Sequence, residues 1–266
     1  MTPSIFPIYR YSGITDQQET VLYHISMYSE GFLRFVSRKI RNFPSHGVDH
    51  SVRIIQLINN FSENWGIELS ENERFVLYVA AWLHDIGCIK ERDDHNMYSV
   101  EILMRDHNTC NYLDNIDSQL LRILRYVIES HSKSHCPYGL DVIPEKIGPV
   151  RARLLAAIFR LMDACEITKY KCPVQVFREI RDDLKNPDGT PDTTAIEFWE
   201  GHMSISYLSF TKPKIEISIN DTVKTASIIE GLKGEIWSIE QVFRDNGMEI
   251  PYVDPYVTQV GIDRAE

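Results

Sequence analysis

The chemistry this sequence can do is concentrated in its nine histidines and a few acids placed among apolar residues. His84 and Asp85 stand side by side at the end of a segment, Phe75 to Leu83, that is apolar on nearly all sides. A carboxylate in such company is costly to bury unpaired, so either a loop takes it by hydrogen bonding or a cation does. Histidine and carboxylate together suit a first-row divalent metal. Upstream stands His46-Gly47-Val48-Asp49-His50-Ser51-Val52-Arg53, and downstream His131 closes Val127-Ile128-Glu129-Ser130-His131. Asp163 interrupts a helical pattern otherwise apolar at Leu154, Leu155, Ile158, Phe159 and Leu161, a second buried-charge anomaly. Each has a bland explanation singly. Together they place a His, a His-Asp pair and an Asp on separate helices of one helical region. His46 precedes His50 by four residues, the spacing of one helical face. Pro44 and Gly47 offer the other reading, a loop before the helix.

In this order the motifs resemble the HD-domain superfamily of metal-dependent phosphohydrolases, whose hallmark is H…HD…D. The first element is His50-Ser51-Val52-Arg53-Ile54, the second Ala81-Trp82-Leu83-His84-Asp85-Ile86-Gly87, the third Arg160-Leu161-Met162-Asp163. The likeness covers about residues 40 to 170. It implies His50, His84, Asp85 and Asp163 as metal ligands, with His95 and His131 holding a second ion, binding phosphate or shuttling protons. Met162 stands where the family has Ala. Cys88 stands where a Lys often follows the Gly, with Lys90 two positions on. The phosphodiesterase branch has a similar His-x-x-x-His whose first His donates a proton, a role that would fall to His46.

The resemblance implies hydrolysis of a phosphoester by metal-activated water, with a nucleotide or another small phosphorylated molecule as substrate. One or two divalent ions, Mn, Fe, Co, Ni or Zn, suit a His-rich site. The ion makes its water acidic and polarises the phosphoryl oxygen. Asp85 is the residue to bridge two ions, and His131 or His46 would protonate the leaving oxygen. Arg53, fixed in its motif, is the first candidate for a phosphate contact, ahead of Lys90, Arg92, Lys133 and Arg160. Two other readings use the same residues: a di-iron oxygenase similar to inositol oxygenase, and a regulatory module that keeps its metal for ligand sensing. His24, His107 and His202 have no supporting context and read as surface or packing residues.

Helices must position these groups. Apolar periodicity predicts helices over Asp16 to Arg41 and about Asp49 to Asn64. A capping box at Ser70 and Glu73 opens the next helix, which runs to about Ile86. Further helices follow at His95–Asp106, Asp117–Ser130, Pro149–Lys169 and Val174–Lys185. Asn186-Pro-Asp-Gly-Thr-Pro191 is a loop. Beyond it Met203 to Phe210 alternates in part and Ile215, Ile217 and Ile219 alternate cleanly, a β-hairpin around Thr211 to Lys214. A helix from about Thr222 to Asn246 ends at Gly247, and Tyr256 to Val260 reads as a third short strand. The expected fold is mainly α: an HD-type helical bundle over residues 1–190, with a small α+β segment over 191–266. That segment packs on the bundle or on a partner chain, a route to a homo-oligomer.

Composition sets the bounds. With 266 residues, 43% hydrophobic and 25% charged, the chain matches globular averages, which excludes collagen-like and fully disordered classes. A net charge of −10 repels phosphate backbones and argues against bulk nucleic-acid binding. Met1 to Arg10 has no apolar core after a basic head, so no signal peptide is expected. Val76 to Leu83, the longest apolar stretch, falls far short of the roughly 20 residues that span a bilayer. The five cysteines form no CxxC pair, so the expectation is a reducing, cytoplasmic setting without disulfides or membrane partners.

Overall fold

The computed structural model describes residues 11–36, 42, 47–107, 109–113, 116–132, 136 and 138–258. α1 (Asp16–Val36) starts where the Thr15 hydroxyl accepts from the Gln18 N–H at 3.2 Å. The expected continuation through residues 37–41 lies outside the described residues. α2 (Val48–Trp65) closes at Gly66, whose φ of +68° is the left-handed cap conformation that glycine adopts without a Cβ penalty. α3 (Glu71–Leu83) opens with the expected capping box. Ser70 Oγ accepts from Glu73 N at 3.3 Å, and Glu73 Oε2 accepts from Ser70 N at 2.9 Å. From Phe75 to Leu83 every residue of α3 is at most 2% exposed, so this helix is the axis of the bundle.

α4 (His95–Asp106) and α5 (Ser118–Glu129) follow, α5 capped by the Asp117 carboxylate. α6 (Ala152–Ala164) is shorter than the expected Pro149–Lys169. Its start is tied to the start of α3, because Arg151 grips the buried Glu73 carboxylate with Nε and NH2, each at 2.7 Å. α3 and α6 are both 13 residues long. Pinned together at their first turns, they end at one level, which brings His84 and Asp85 beside Asp163.

After α7 (Val174–Ile180) comes a helix that the sequence reading did not foresee, α8 (Thr193–Met203), capped by Asp192, whose carboxylate accepts from Ala195 N at 3.0 Å. β1 (Ile205–Thr211) and β2 (Lys214–Ile219) form the expected antiparallel hairpin, with Phe210 opposite Ile215. α9 (Thr222–Asp245) crosses over to β3 (Tyr252–Val257), which pairs parallel to β2 with Lys214 opposite Tyr252 and Ile219 opposite Val257. β3 thus begins four residues earlier than expected, and the expected positions 259–260 lie outside the described residues. Most of its side chains are exposed, so the strand shows no alternation, and Pro255 sits inside it, a residue confined to edge strands for want of an N–H. The inner face of the hairpin, Ile215, Ile217 and Ile219, belongs to the same core as the bundle. Phe61 of α2 lies 5.1 Å from the Phe210 ring and 6.3 Å from Phe243 of α9. All five cysteines are free. Among the described residues no helix is long and apolar enough to cross a membrane.

Candidate metal centre

The side chains that converge come from helix ends. His50 sits in the first turn of α2, His84 caps α3, and Asp85 begins the short 3₁₀ turn Ile86–Ile89. His95 opens α4, His131 stands just beyond α5, and Asp163 lies in the last turn of α6. The turn after His84-Asp85 presses on α4. A Cβ on Gly87 would meet the His95 carbonyl oxygen at 2.1 Å, so only glycine lets the two segments approach. Gly87 N donates to Ser99 Oγ at 2.8 Å, which fixes the turn.

The hydrogen bonds settle which ring nitrogens carry protons. His50 Nδ1 faces Glu166 Oε2 at 3.1 Å, and His84 Nδ1 faces the Ala81 carbonyl at 3.2 Å. His95 Nδ1 faces the Arg92 carbonyl at 2.5 Å, and His131 Nδ1 the Ile128 carbonyl at 2.8 Å. These oxygens only accept, so each Nδ1 is the N–H nitrogen, and in a neutral ring Nε2 keeps its lone pair. All four Nε2 atoms turn inward. His50 and His84 bring theirs to 3.2 Å, His95 and His131 to 2.9 Å. Asp85 Oδ2 lies 3.4 Å from His50 Nε2 and 3.3 Å from His84 Nε2, while its Oδ1 lies 3.3 Å from His95 Nε2. Asp163 Oδ1 lies 3.2 Å from His50 Nε2 and 3.8 Å from His84 Nε2.

Lone pairs and carboxylates packed this closely repel unless positive charge lies among them. Backbone carbonyls and a carboxylate behind each imidazole are also the partners that orient metal-ligating histidines. The donor set therefore fits a transition metal. His50, His84 and Asp85 offer donor atoms all within 4.8 Å of one another, and so do Asp85, Cys88 and His95. The two groups share Asp85.

The electrostatics agree. Burial would push the His50 imidazolium down, but hydrogen bonds to Asp163 and Glu166 outweigh it and hold its pKa up at about 9. Without a metal the site thus takes a proton where a cation would sit, and metal binding would release it. Asp163 and Glu166 stay well below the carboxylate range although burial opposes it, Asp163 chiefly through His50 and Glu166 chiefly through Lys171 and His50. Burial, with His95 adding to it, pushes His131 down to about 3, so its ring is neutral near pH 7. That suits a ligand and leaves it no second proton to donate. The buried Cys88 thiol lies 3.8 Å from Asp85 Oδ1 and is pushed far up, first by burial and then by Asp85.

Within this geometry, the HD-CE family model matches residues 15–241. The chain belongs to the HD-CE family. The match spans every residue of the cluster and runs on through β1, β2 and most of α9. No curated protein matches the HD-CE chain.

Other expected site residues lie elsewhere. Arg53 points its guanidinium at protein carboxylates: Nε donates to Glu166 Oε1 and NH1 to Asp49 Oδ2 at 2.8 Å. Through Glu166 it braces His50, while its NH2 is buried with no hydrogen-bond partner among the described residues. Lys90 is tied to Glu101 at 2.7 Å on the surface. Arg160 is buried and donates from Nε to the Ser130 carbonyl at 2.8 Å, which steadies the turn before His131. His46 and Lys133 lie outside the described residues. α2 begins only at Val48, after Gly47.

A cavity of about 400 Å³ opens beside the cluster. His131, Asp163, Glu166 and Lys171 line its inner side, while α8 and α9 line the outer side, with Phe198, His202, Ile228 and Leu232 among the residues there. Three of these polar groups were missed in the sequence. Glu166 carries a readable signal, an acid within the apolar run Ala164 to Ile167. Lys171 has none, being one charge in a polar loop. His202, expected to be ordinary, is buried and faces the cavity.

Proposed function

We propose that this HD-CE protein is a metal-dependent phosphohydrolase that cleaves a phosphoester of a nucleotide or another small phosphorylated molecule. The observation that carries the reading is the convergence of four Nε2 atoms and two carboxylates beside a ligand-sized cavity, which His131 and Asp163 of that cluster line. In this reading His50, His84, Asp85 and Asp163 hold one divalent ion, and Asp85, His95 and His131 hold a second. Mn, Fe, Co, Ni and Zn all suit such a donor set. When bound, the metal supplies an acidified water and polarises a phosphoryl oxygen.

The chain's own residues do the rest. Asp163 both belongs to the cluster and lines the cavity, so its ionised carboxylate accepts a hydrogen bond from the attacking water and aims it. Glu166 and Arg53 lock the His50 ring, which fixes its Nε2. Phe198 of α8 and Ile228 and Leu232 of α9 line the leaving-group side, with Ser227 and Glu235 among them. His46, the proposed proton donor to the leaving oxygen, is the nearest unassigned histidine in the sequence before His50. The net charge of −10 favours a small substrate, drawn in by the local cationic field, over a nucleic acid.

The test is metal analysis of the purified protein followed by a panel of phosphomonoesters, phosphodiesters and nucleotides. A transition metal at one or two equivalents per chain, with hydrolysis of at least one panel member, is expected. Full metal occupancy with no hydrolysis favours a sensing module. Oxygen consumption with iron bound points to an oxygenase.

A further inference from the structure

We infer that Lys171 is the cation that seats the substrate's phosphoryl group, an inference that rests on the phosphohydrolase reading of the same site. The turn after His84-Asp85 supplies no such charge to the cavity. Its third residue is Cys88, 1% exposed, with its thiol directed at Asp85. Lys90 is turned outward onto Glu101, and Arg92, whose charge reaches Asp85, is not among the residues that line the cavity. Arg53 pairs with Glu166 and Asp49 and does not line this cavity. Among the described residues that line the cavity, Lys171 is the only lysine or arginine.

Its setting is built rather than incidental. The Lys171 side chain is 10% exposed, and Nζ forms an ion pair with Glu166 Oε2 at 3.0 Å and donates to the Glu166 carbonyl at 3.2 Å. An ammonium has three N–H donors. The Glu166 carbonyl takes one of them and the Oε2 ion pair holds the charge at this wall, which leaves donor capacity for a ligand in the cavity. Glu166 is itself fixed by Arg53 and His50, so Lys171 is held rigidly, as a preorganised donor must be to stabilise charge without reorganising. Its charge also reaches Asp163, one of the cluster's carboxylates, which places the ammonium and the metal centre on the same end of the cavity.

The far side is mixed. The His202 Nδ1–H donates to the Phe198 carbonyl at 2.8 Å, which leaves Nε2 as an acceptor, and α9 contributes the apolar Ile228 and Leu232 together with two polar residues, Ser227 and Glu235. The cavity therefore suits a compact monoester: its anionic phosphoryl end lies between the metal cluster and Lys171, and its less polar body, carrying a hydroxyl or amino donor, lies against α8 and α9.

The test compares the full-length metal-loaded protein with Lys171→Met and Lys171→Arg, using inorganic phosphate as the probe in calorimetry and the best panel substrate in kinetics. In the Met variant phosphate binding should weaken by tenfold or more and KM should rise, with metal content unchanged. The Arg variant should recover much of both. As a second measurement on the wild-type chain, saturating phosphate should slow amine-directed labelling of Lys171, followed by mass spectrometry. Unchanged labelling would overturn the inference even if the Met variant fails to fold. Phosphate binding that depends on Lys171 in a protein that hydrolyses no phosphoester would support the seat and sink the hydrolase reading. Robust hydrolysis with kcat/KM of the Met variant within threefold of wild type would do the reverse, leaving Lys171 as a counter-ion for Glu166.

Discussion

His95 and His131 face each other through their Nε2 atoms at 2.9 Å, each with its Nδ1 on the carbonyl three residues earlier. The neutral His131 ring turns its Nε2 lone pair onto the His95 Nε2, an arrangement that suits a cation shared between them. Asp85 Oδ1, 3.3 Å from His95 Nε2, completes that half of the cluster.

It follows that His131→Ala should keep the ion held by His50, His84 and Asp163 yet lose the one shared with His95, and activity with it. Metal analysis should show about one equivalent fewer, or a weakened second binding step. Turnover within about threefold of wild type, roughly 0.65 kcal/mol in the barrier, would place His131 outside the chemistry.

Replacing His84 and Asp85 together by Ala should abolish metal binding altogether, because both halves of the cluster use Asp85. Thermal stability should fall with it, since a ligand bound only by the folded chain stabilises by mass action, about 2.7 kcal/mol at a hundredfold excess over Kd. The wild-type protein stripped by a chelator should lose a similar amount. Metal content equal to wild type in the double variant would refute the assignment.

Much of this centre was legible because burying charge is expensive. Asp85 at the end of an apolar helix and Asp163 inside another announce themselves as anomalies, and the His-Asp spacing then resembles a known set. Glu166 obeys the same logic and was passed over for lack of a motif. Lys171 and His202 could not be read, since their place in the cavity depends on how α8 and α9 fold back on the bundle. α8 itself left a signal, Asp192 as cap followed by Ala195, Ile196, Trp199 and Met203 at helical spacing. The alternation that begins at Met203 masked it. β3 gave almost none, because an exposed edge strand has no buried face to impose a period of two.

His202 should make the protein sensitive to acid. Burial, then the nearby Lys171, lowers its pKa from 6.5 to about 4. Between those values the unfolded chain binds a proton at this ring and the folded chain does not. This contribution to stability is therefore complete above about pH 6.5 and is lost as pH falls toward 4. Linkage puts the loss between pH 7 and pH 5 at about 2 kcal/mol. Urea unfolding at both pH values should show the wild-type protein losing that much more stability than His202→Gln. Equal losses in the two proteins would mean that His202 is protonated or solvated in the folded state.

Truncation after Lys185 tests whether the C-terminal segment belongs to the catalytic unit. The cut leaves the His and Asp ligands on the chain but removes Phe210, Ile215, Ile217, Ile219 and Phe243, all at most 4% exposed and all in the core shared with the bundle. Phe61, fully buried against Phe210 and Phe243, would be opened to water. Uncovering several large side chains, at about 1.5 to 3 kcal/mol each, exceeds the net stability of most domains. The cut also removes α8 and α9, the outer wall of the cavity. The expected product is therefore aggregated or molten, and inactive on any substrate of the full chain. Addition of the missing segment, residues 186–266, as a separate chain should restore solubility if its packing on the bundle is what was lost. A truncated protein that stays soluble and monomeric with unchanged activity would show that α8, α9 and the sheet neither support the bundle nor enclose the substrate. A soluble truncated protein that keeps its helicity but loses its metal would instead identify a ligand in the removed segment, with His202 the first residue to examine.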